Sequence, residues 1–128
     1  MVTARVICKG KVHGEVLFTS EAISFFGGVD PDTGIVTEKG HELEGKCISG
    51  KILVFPSGKG STVGSYVLYR LKKNGKAPLA IVNKNCEAII ATGVIISEIP
   101  CVDQVDIDKL KGKTELIVDG DVGKVTIL

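Results

Sequence analysis

Lys51-Ile-Leu-Val-Phe-Pro-Ser-Gly-Lys-Gly-Ser-Thr-Val-Gly-Ser65, running on through Tyr66-Val-Leu-Tyr-Arg-Leu-Lys-Lys73, is the stretch whose reading decides the fold. Its apolar run from Ile52 to Phe55 stops at Pro56 and predicts a buried strand. A small, hydroxyl-rich loop follows, spaced by glycines and carrying one cation, Lys59. Apolar residues then recur at Val63, Val67, Leu68 and Leu71 with helical spacing, until Asn74-Gly75 ends the pattern. The stretch reads as strand, loop and helix, with Ser61 and Thr62 where the helix begins. Free backbone N–H groups and the positive end of a helix dipole converge on such a point and suit it to an anion.

Three familiar labels fail on this loop. A dinucleotide fingerprint needs glycines at its first, third and sixth positions, but Val63 holds the sixth and Gly64 comes one late. A P-loop needs Gly-Lys followed at once by Ser or Thr, whereas Gly60 follows Lys59. The serine-hydrolase elbow would put glycines at 59 and 63, where Lys and Val stand. What survives is a nest of N–H groups, Lys59 and the Ser61 hydroxyl on one turn, able to hold a carboxylate or phosphate. Ser61 reads either as a plain helix N-cap or as an acid–base group. As a base it needs help, because an alkoxide is costly at neutral pH and one loop cation is too few to stabilise it.

The flanks place this unit among strands. Thr3 to Cys8 predicts a strand, Lys9 to Gly14 a glycine-punctuated turn or bulged strand, and Glu15 to Thr19 a second strand. Phe25-Phe-Gly-Gly-Val-Asp-Pro-Asp-Thr-Gly34 is the densest run of turn residues. It is either a hairpin with a wide loop or the backbone wall of a polar pocket, with Gly27 and Gly28 lining it and Asp30 as an acceptor. Short strands are expected at 35–37 and 46–49, around a polar loop in which His41 is solvated or structural. Downstream come a buried strand at 77–82, a short helix over 86–92 capped by Asn85, and a short edge strand at 99–102 that tolerates Pro100. A single turn near 105–110 and a C-terminal hairpin over 114–128 with Asp-Gly turn chemistry complete the chain. The sum is α+β and β-rich, with one helical layer on a sheet or barrel.

Composition narrows the function. The chain has 128 residues and a formal net charge of +1, too balanced for a nucleic-acid surface or a polybasic membrane patch. No apolar run approaches bilayer length and no basic-then-apolar leader opens the chain, so a soluble, cytoplasmic protein is expected. Cys8, Cys47, Cys86 and Cys101 form no C-x-x-C pair, so buried or half-buried free thiols are expected, with no metal site in this chain.

Phe25-Phe-Gly-Gly-Val-Asp-Pro-Asp-Thr-Gly34, His41, Leu43-Glu-Gly45 and Gly50-Lys-Ile-Leu-Val-Phe-Pro-Ser-Gly-Lys-Gly-Ser61 together resemble the small subunit of the aconitase X family. Ala77-Pro-Leu-Ala-Ile-Val82 and Ile99-Pro-Cys-Val102 extend the likeness over most of the chain. The resemblance implies that residues 1–128 form a single swivelling β/β/α domain like the mobile domain of aconitase. It implies a heterodimer with a large subunit that carries a cysteine-ligated [4Fe–4S] cluster, none being bound by this chain. The implied activity is a hydro-lyase reaction, the dehydration of 5-phosphomevalonate to anhydromevalonate phosphate. Another hydroxy acid such as cis-3-hydroxyproline is the alternative substrate. By the same resemblance Ser61 is the catalytic proton acceptor, and the reading of the two loops adds Gly27, Gly28, Asp30, Lys59, Gly60 and Thr62 as the residues expected to bind the substrate. Lys59 stands where the family often has Arg, keeping the charge but losing the bidentate fork. A phosphocarrier or anion-binding module is a second class of function, although neither His13 nor His41 lies in the Gly- and Thr-rich helix start that a phosphohistidine carrier needs. A purely structural subunit is the third.

Overall fold

The computed structural model describes residues 1–128. Its strands are β1 (Val2–Thr3), β2 (Arg5–Cys8), β3 (Lys11–Phe18), β4 (Ile52–Phe55), β5 (Ala80–Asn83), β6 (Cys101–Asp103), β7 (Glu115–Asp119) and β8 (Lys124–Ile127). Helical segments are a short turn α1 (Phe25–Gly28), α2 (Gly64–Lys73), α3 (Ala88–Ser97) and a 3-10 turn at Ile107–Leu110. The strands form one mixed sheet in the order β1-β8-β7-β3-β4-β5-β6-β2.

The long strand β3 belongs to both halves of that sheet. Its first part pairs antiparallel with β7, from Lys11 opposite Asp119 to Glu15 opposite Glu115. Its last part, Val16 to Phe18, pairs parallel with Ile52 to Val54 of β4. The two halves then share one apolar core: Ile52, Val54, Val82 and Val102 from the parallel half cluster with Leu116, Val118 and Val125 from the antiparallel half. Strand side chains alternate between faces, so Leu53, Phe55 and Ile81 point the other way. There they meet Val67, Leu68 and Leu71 of α2 and Ile90 and Val94 of α3. Each fully buried aliphatic or aromatic side chain contributes about 1.5–3 kcal/mol. The result is the expected α+β, β-rich architecture, sheet on sheet with helices on one outer face.

Helix α2 follows the predicted periodicity, burying Val67, Leu68 and Leu71 and ending at Asn74, whose N–H reaches the Arg70 carbonyl. Arg70, Lys72 and Lys73 complement the negative end of its dipole. Its start lies later than the sequence suggests: Gly64 is the first helical residue, and Ser61 leads a turn into it through Gly64 N–H donating to Ser61 O at 2.9 Å.

Several expectations are corrected by tertiary contacts. The segment 3–8 is two strands, and β1 and β2 sit at opposite ends of the strand order. The stretch 9–14 turns only at Lys9-Gly10, and Gly14 continues β3 opposite Leu116. A Cβ there would lie 2.7 Å from Leu79 Cδ1, so the glycine makes room for a neighbour and does not break the strand. The segments 35–37 and 46–49 make isolated bridges only, Val29 with Val36 and Ile35 with Cys47. The helix predicted over 86–92 runs to Ser97, and Glu87 caps it through the N–H groups of Ile89 and Ile90, in place of Asn85. Gly93 sits inside it because a Cβ would come 2.5 Å from Leu68 Cδ1 where α2 and α3 cross. Finally, β6 is not an edge: it lies between β5 and β2, and Pro100 precedes it with its carbonyl accepting Ile81 N–H. No helix is long and apolar enough to cross a membrane.

Candidate functional site

The loop between β4 and α2 leaves the carboxyl end of a parallel strand, where open parallel sheets place their ligands. It is fastened to the segment before α1 by backbone bonds: Ile23 N–H donates to Ser57 O at 3.2 Å, and Lys59 N–H to Ile23 O at 3.1 Å. Gly27, with φ +81°, turns the chain back along this loop. Gly60 adopts φ +84°, and a Cβ on it would sit 2.5 Å from Ser24 Oγ, so only glycine fits where the two loops meet.

The predicted residues divide into groups. Gly27, Gly28, Lys59 and Gly60 line one open depression of about 400 Å³ together with Ser24, Phe26 and Glu38. Ser61 and Thr62 follow directly, both exposed. Thr62 faces a neighbouring apolar hollow with Ser65, Tyr66, Tyr69 and Ile96. Asp30 lines an adjoining hollow with Pro31, Thr37, Val67 and Arg70, which shares Phe26 and Gly27 with that depression. Its carboxylate accepts Asp32 N–H at 2.9 Å and so shapes its own turn. Only half of the aromatic pair anchors the loop. Phe25 is buried against Phe55, with ring centroids 6.1 Å apart, whereas Phe26 is exposed at the rim.

Ser61 is not the N-cap of α2. Its Oγ accepts Val63 N–H at 3.1 Å within the turn, and Val63 occupies the cap position. The N–H groups of Gly60, Ser61 and Thr62 donate to no protein acceptor. Three consecutive free donors beside an exposed hydroxyl, at the start of a ten-residue helix, can hold an oxyanion or ease the ionisation of that hydroxyl.

Glu38 was invisible to sequence reasoning, being one charge in a polar loop 21 residues before Lys59. In the fold its Oε2 accepts Lys59 Nζ at 3.0 Å across the depression. His41 holds that loop in place and is structural. It is only 6% exposed, its Nδ1 accepts Leu43 N–H at 3.0 Å, and its Nε2 therefore carries the proton shared with Ala22 O at 3.0 Å. Next to it, Glu42 accepts the Thr19 hydroxyl at 2.6 Å, which together with Ser20 N–H draws its carboxyl below the usual value. His13 is exposed on β3 near Glu115 and takes no part in the loop.

The cysteines do not suit a metal cluster. Cys86 and Cys101 are buried, Cys8 is half-buried, and Cys47 is exposed with its Sγ 3.5 Å from Thr33 O. The hydrogen bond to Cys86, then burial, push the Cys101 thiol well above its ordinary value, and burial raises Cys8 as well. Cluster ligation needs thiolates, and no three His, Cys, Asp or Glu side chains are arranged to hold a metal ion.

Residues 1–127 match the sequence family described as the aconitase X swivel domain. The chain belongs to that family. As an aconitase X swivel domain it is 58% identical, over 97% of its length and 93% of the relative's, to the phosphomevalonate dehydratase small subunit of Thermococcus kodakarensis. It is 57% identical to the small subunit of the same name in Methanosarcina acetivorans, over 94% of this chain and 81% of that one. The crystal structure of Thermococcus kodakaraensis aconitase X in its holo-form superposes with a TM-score of 0.97 at 57% identity, covering 99% of this chain and 97% of that one. The swivel-domain fold implied by the resemblance is thus the fold observed.

Proposed function

We propose that this chain is the small subunit of a phosphomevalonate dehydratase, a hydro-lyase whose active site is completed by a large subunit. The whole chain, 1–128, works as one swivelling domain in that heterodimer. The large subunit holds the iron–sulfur cluster that the family resemblance implies, since the cysteines of this chain are scattered and no three metal-ligating side chains meet. The observation that carries the reading is the exposed Ser61 hydroxyl beside three unsatisfied N–H groups, in a chain so similar to small subunits of that name.

The part played by this chain is proton removal and anion binding. Ser61, ionised, takes the proton from the carbon next to the substrate carboxylate. The free N–H groups of Gly60, Ser61 and Thr62 and the dipole of α2 lower the cost of the alkoxide. A cation from the partner supplies what Lys59 alone cannot. Lys59 and the depression floored by Gly27, Gly28 and Gly60 receive an anionic group of the substrate and exclude water around it. Departure of the substrate hydroxyl with that proton amounts to loss of one water and leaves the alkene.

Co-expression with a large aconitase X subunit tests this. The complex should convert 5-phosphomevalonate to a product lighter by one water, followed by mass spectrometry. The S61A complex should assemble and lose turnover. Near-normal turnover by S61A would remove Ser61 from the mechanism, and activity on cis-3-hydroxyproline alone would reassign the substrate.

A further inference from the structure

Lys59 faces a carboxylate in the very depression where an anion is expected. Its Nζ lies 3.0 Å from Glu38 Oε2, and Lys59 is the only protein hydrogen-bond partner of that carboxylate. We propose that Glu38 is the resident counter-anion of this subsite, a specificity-determining residue that competes with the substrate's phosphate for Lys59. The inference rests on the dehydratase reading above and assigns a role to a residue which that reading leaves idle.

Both ends of the pair are anchored by backbone, so the side chains alone are free to part. Lys59 N–H is bonded to Ile23 O. On the other side, Thr37 and Glu38 N–H groups both reach Gly28 O, at 2.9 and 3.3 Å, and Thr37 Oγ1 donates to Gly27 O at 3.3 Å. His41 N–H closes the loop onto Glu38 O at 3.2 Å. Gly28 leaves room for the carboxylate, since a Cβ there would come 3.3 Å from Glu38 Oε1. The depression of about 400 Å³ between these walls admits one small phosphorylated molecule.

The exposure of the pair sets its strength. Glu38 is 30% and Lys59 48% exposed at the side chain, and a pair so wetted shifts an equilibrium by no more than about fivefold. A dianionic phosphate attracts Lys59 more strongly than a single carboxylate charge and displaces Glu38 readily. A lone carboxylate offers Lys59 only what Glu38 already supplies. The subsite therefore favours phosphorylated hydroxy acids over unphosphorylated ones and is electrically neutral until occupied.

The test uses the two-subunit complex. E38Q should lower KM for 5-phosphomevalonate by about twofold to fivefold, with the larger part of the change in KM and not in kcat. It should also steepen the rise of KM with salt, because the subsite then carries a net positive charge. K59M should raise KM, and adding E38Q in that background should give no gain. A KM unchanged or raised in E38Q, or an equal gain with and without Lys59, overturns the proposal. If the wild-type complex does not dehydrate 5-phosphomevalonate, the dehydratase reading fails by itself. Inorganic phosphate, titrated into a complex in which only this chain is isotopically labelled, then decides about Glu38. Gly27, Gly28 and Gly60 amides should shift at lower phosphate in E38Q than in wild type, and identical titrations overturn the assignment.

Discussion

The molecule contains two cation–carboxylate pairs of the same chemistry and opposite character. Asp103, at the end of β6, is completely buried and accepts Arg5 Nε and Nη2, each at 2.8 Å. It also takes Cys86 N–H at 2.8 Å. Burial works against its charge, but the Arg5 fork, the Cys86 N–H and Gln104 outweigh that penalty and hold its carboxyl below the usual 3.8. Glu38 makes one bond to Lys59 and is open to water. The first pair locks the terminal strand β2 onto β6 and fixes the segment leading into α3. The second spans a depression and locks nothing. Hydrogen-bond count and desolvation of the carboxylate, not the presence of two opposite charges, separate scaffold from exchangeable contact.

This contrast can be broken most forcefully from the chemical side. S61A should reduce kcat by roughly 10²–10⁴-fold, the range for losing a positioned proton acceptor, while its thermal melt stays near wild type. If the melt collapses as well, the loop is part of the scaffold after all. Next in size is D103A, which removes three charge-assisted hydrogen bonds and leaves the Cys86 N–H buried without an acceptor. Chemical denaturation should show a loss of about 3 kcal/mol, and turnover per folded complex should stay near normal. An effect on kcat instead of on stability would reverse the roles assigned to the two pairs.

A smaller effect is expected for G60A. Its φ of +84° and the 2.5 Å approach to Ser24 Oγ should cost about 1–2 kcal/mol, read as an earlier melt together with a higher KM. The acid side of the stability curve sharpens the comparison further. The Asp103 carboxyl is depressed in the folded state, so its contribution is present above about 3.8, the ordinary value, and disappears as pH falls through the folded value. Denaturant melts between about pH 5 and pH 2 should therefore fall less steeply for D103A than for wild type. E38Q should move only the phosphate-dependent readouts, the smallest effect of the set.

Much of the scaffold was legible because it is written in local patterns. The buried run from Ile52 to Phe55, the spacing of Val67, Leu68 and Leu71, and the Asp119-Gly120 hairpin each follow from neighbours in the chain. What local pattern could not show was which glycines and prolines are punctuation. Gly14 and Gly93 look like breaks, yet each admits a partner from a distant element, Leu79 in one case and Leu68 in the other. Pro100 looks like an edge signal, yet β2 returns from the N-terminus to cover β6.

The candidate site divides along the same line. The sequence by itself determined the strand–loop–helix unit, the expectation of a nest of N–H groups beside Ser61, and the lack of any cysteine spacing suited to a cluster. These depend on residues within a few positions of one another, where covalent reach and backbone propensity govern. Only the tertiary structure decided that Ser61 precedes the helix instead of capping it and that Asp30 serves its own turn. It alone brought Glu38 to Lys59. Those outcomes depend on how the segment holding His41 docks beside Ile23 and on how the 58–61 loop docks against it. Docking is set by burial and hydrogen-bond satisfaction across the whole fold, which no short stretch of sequence contains.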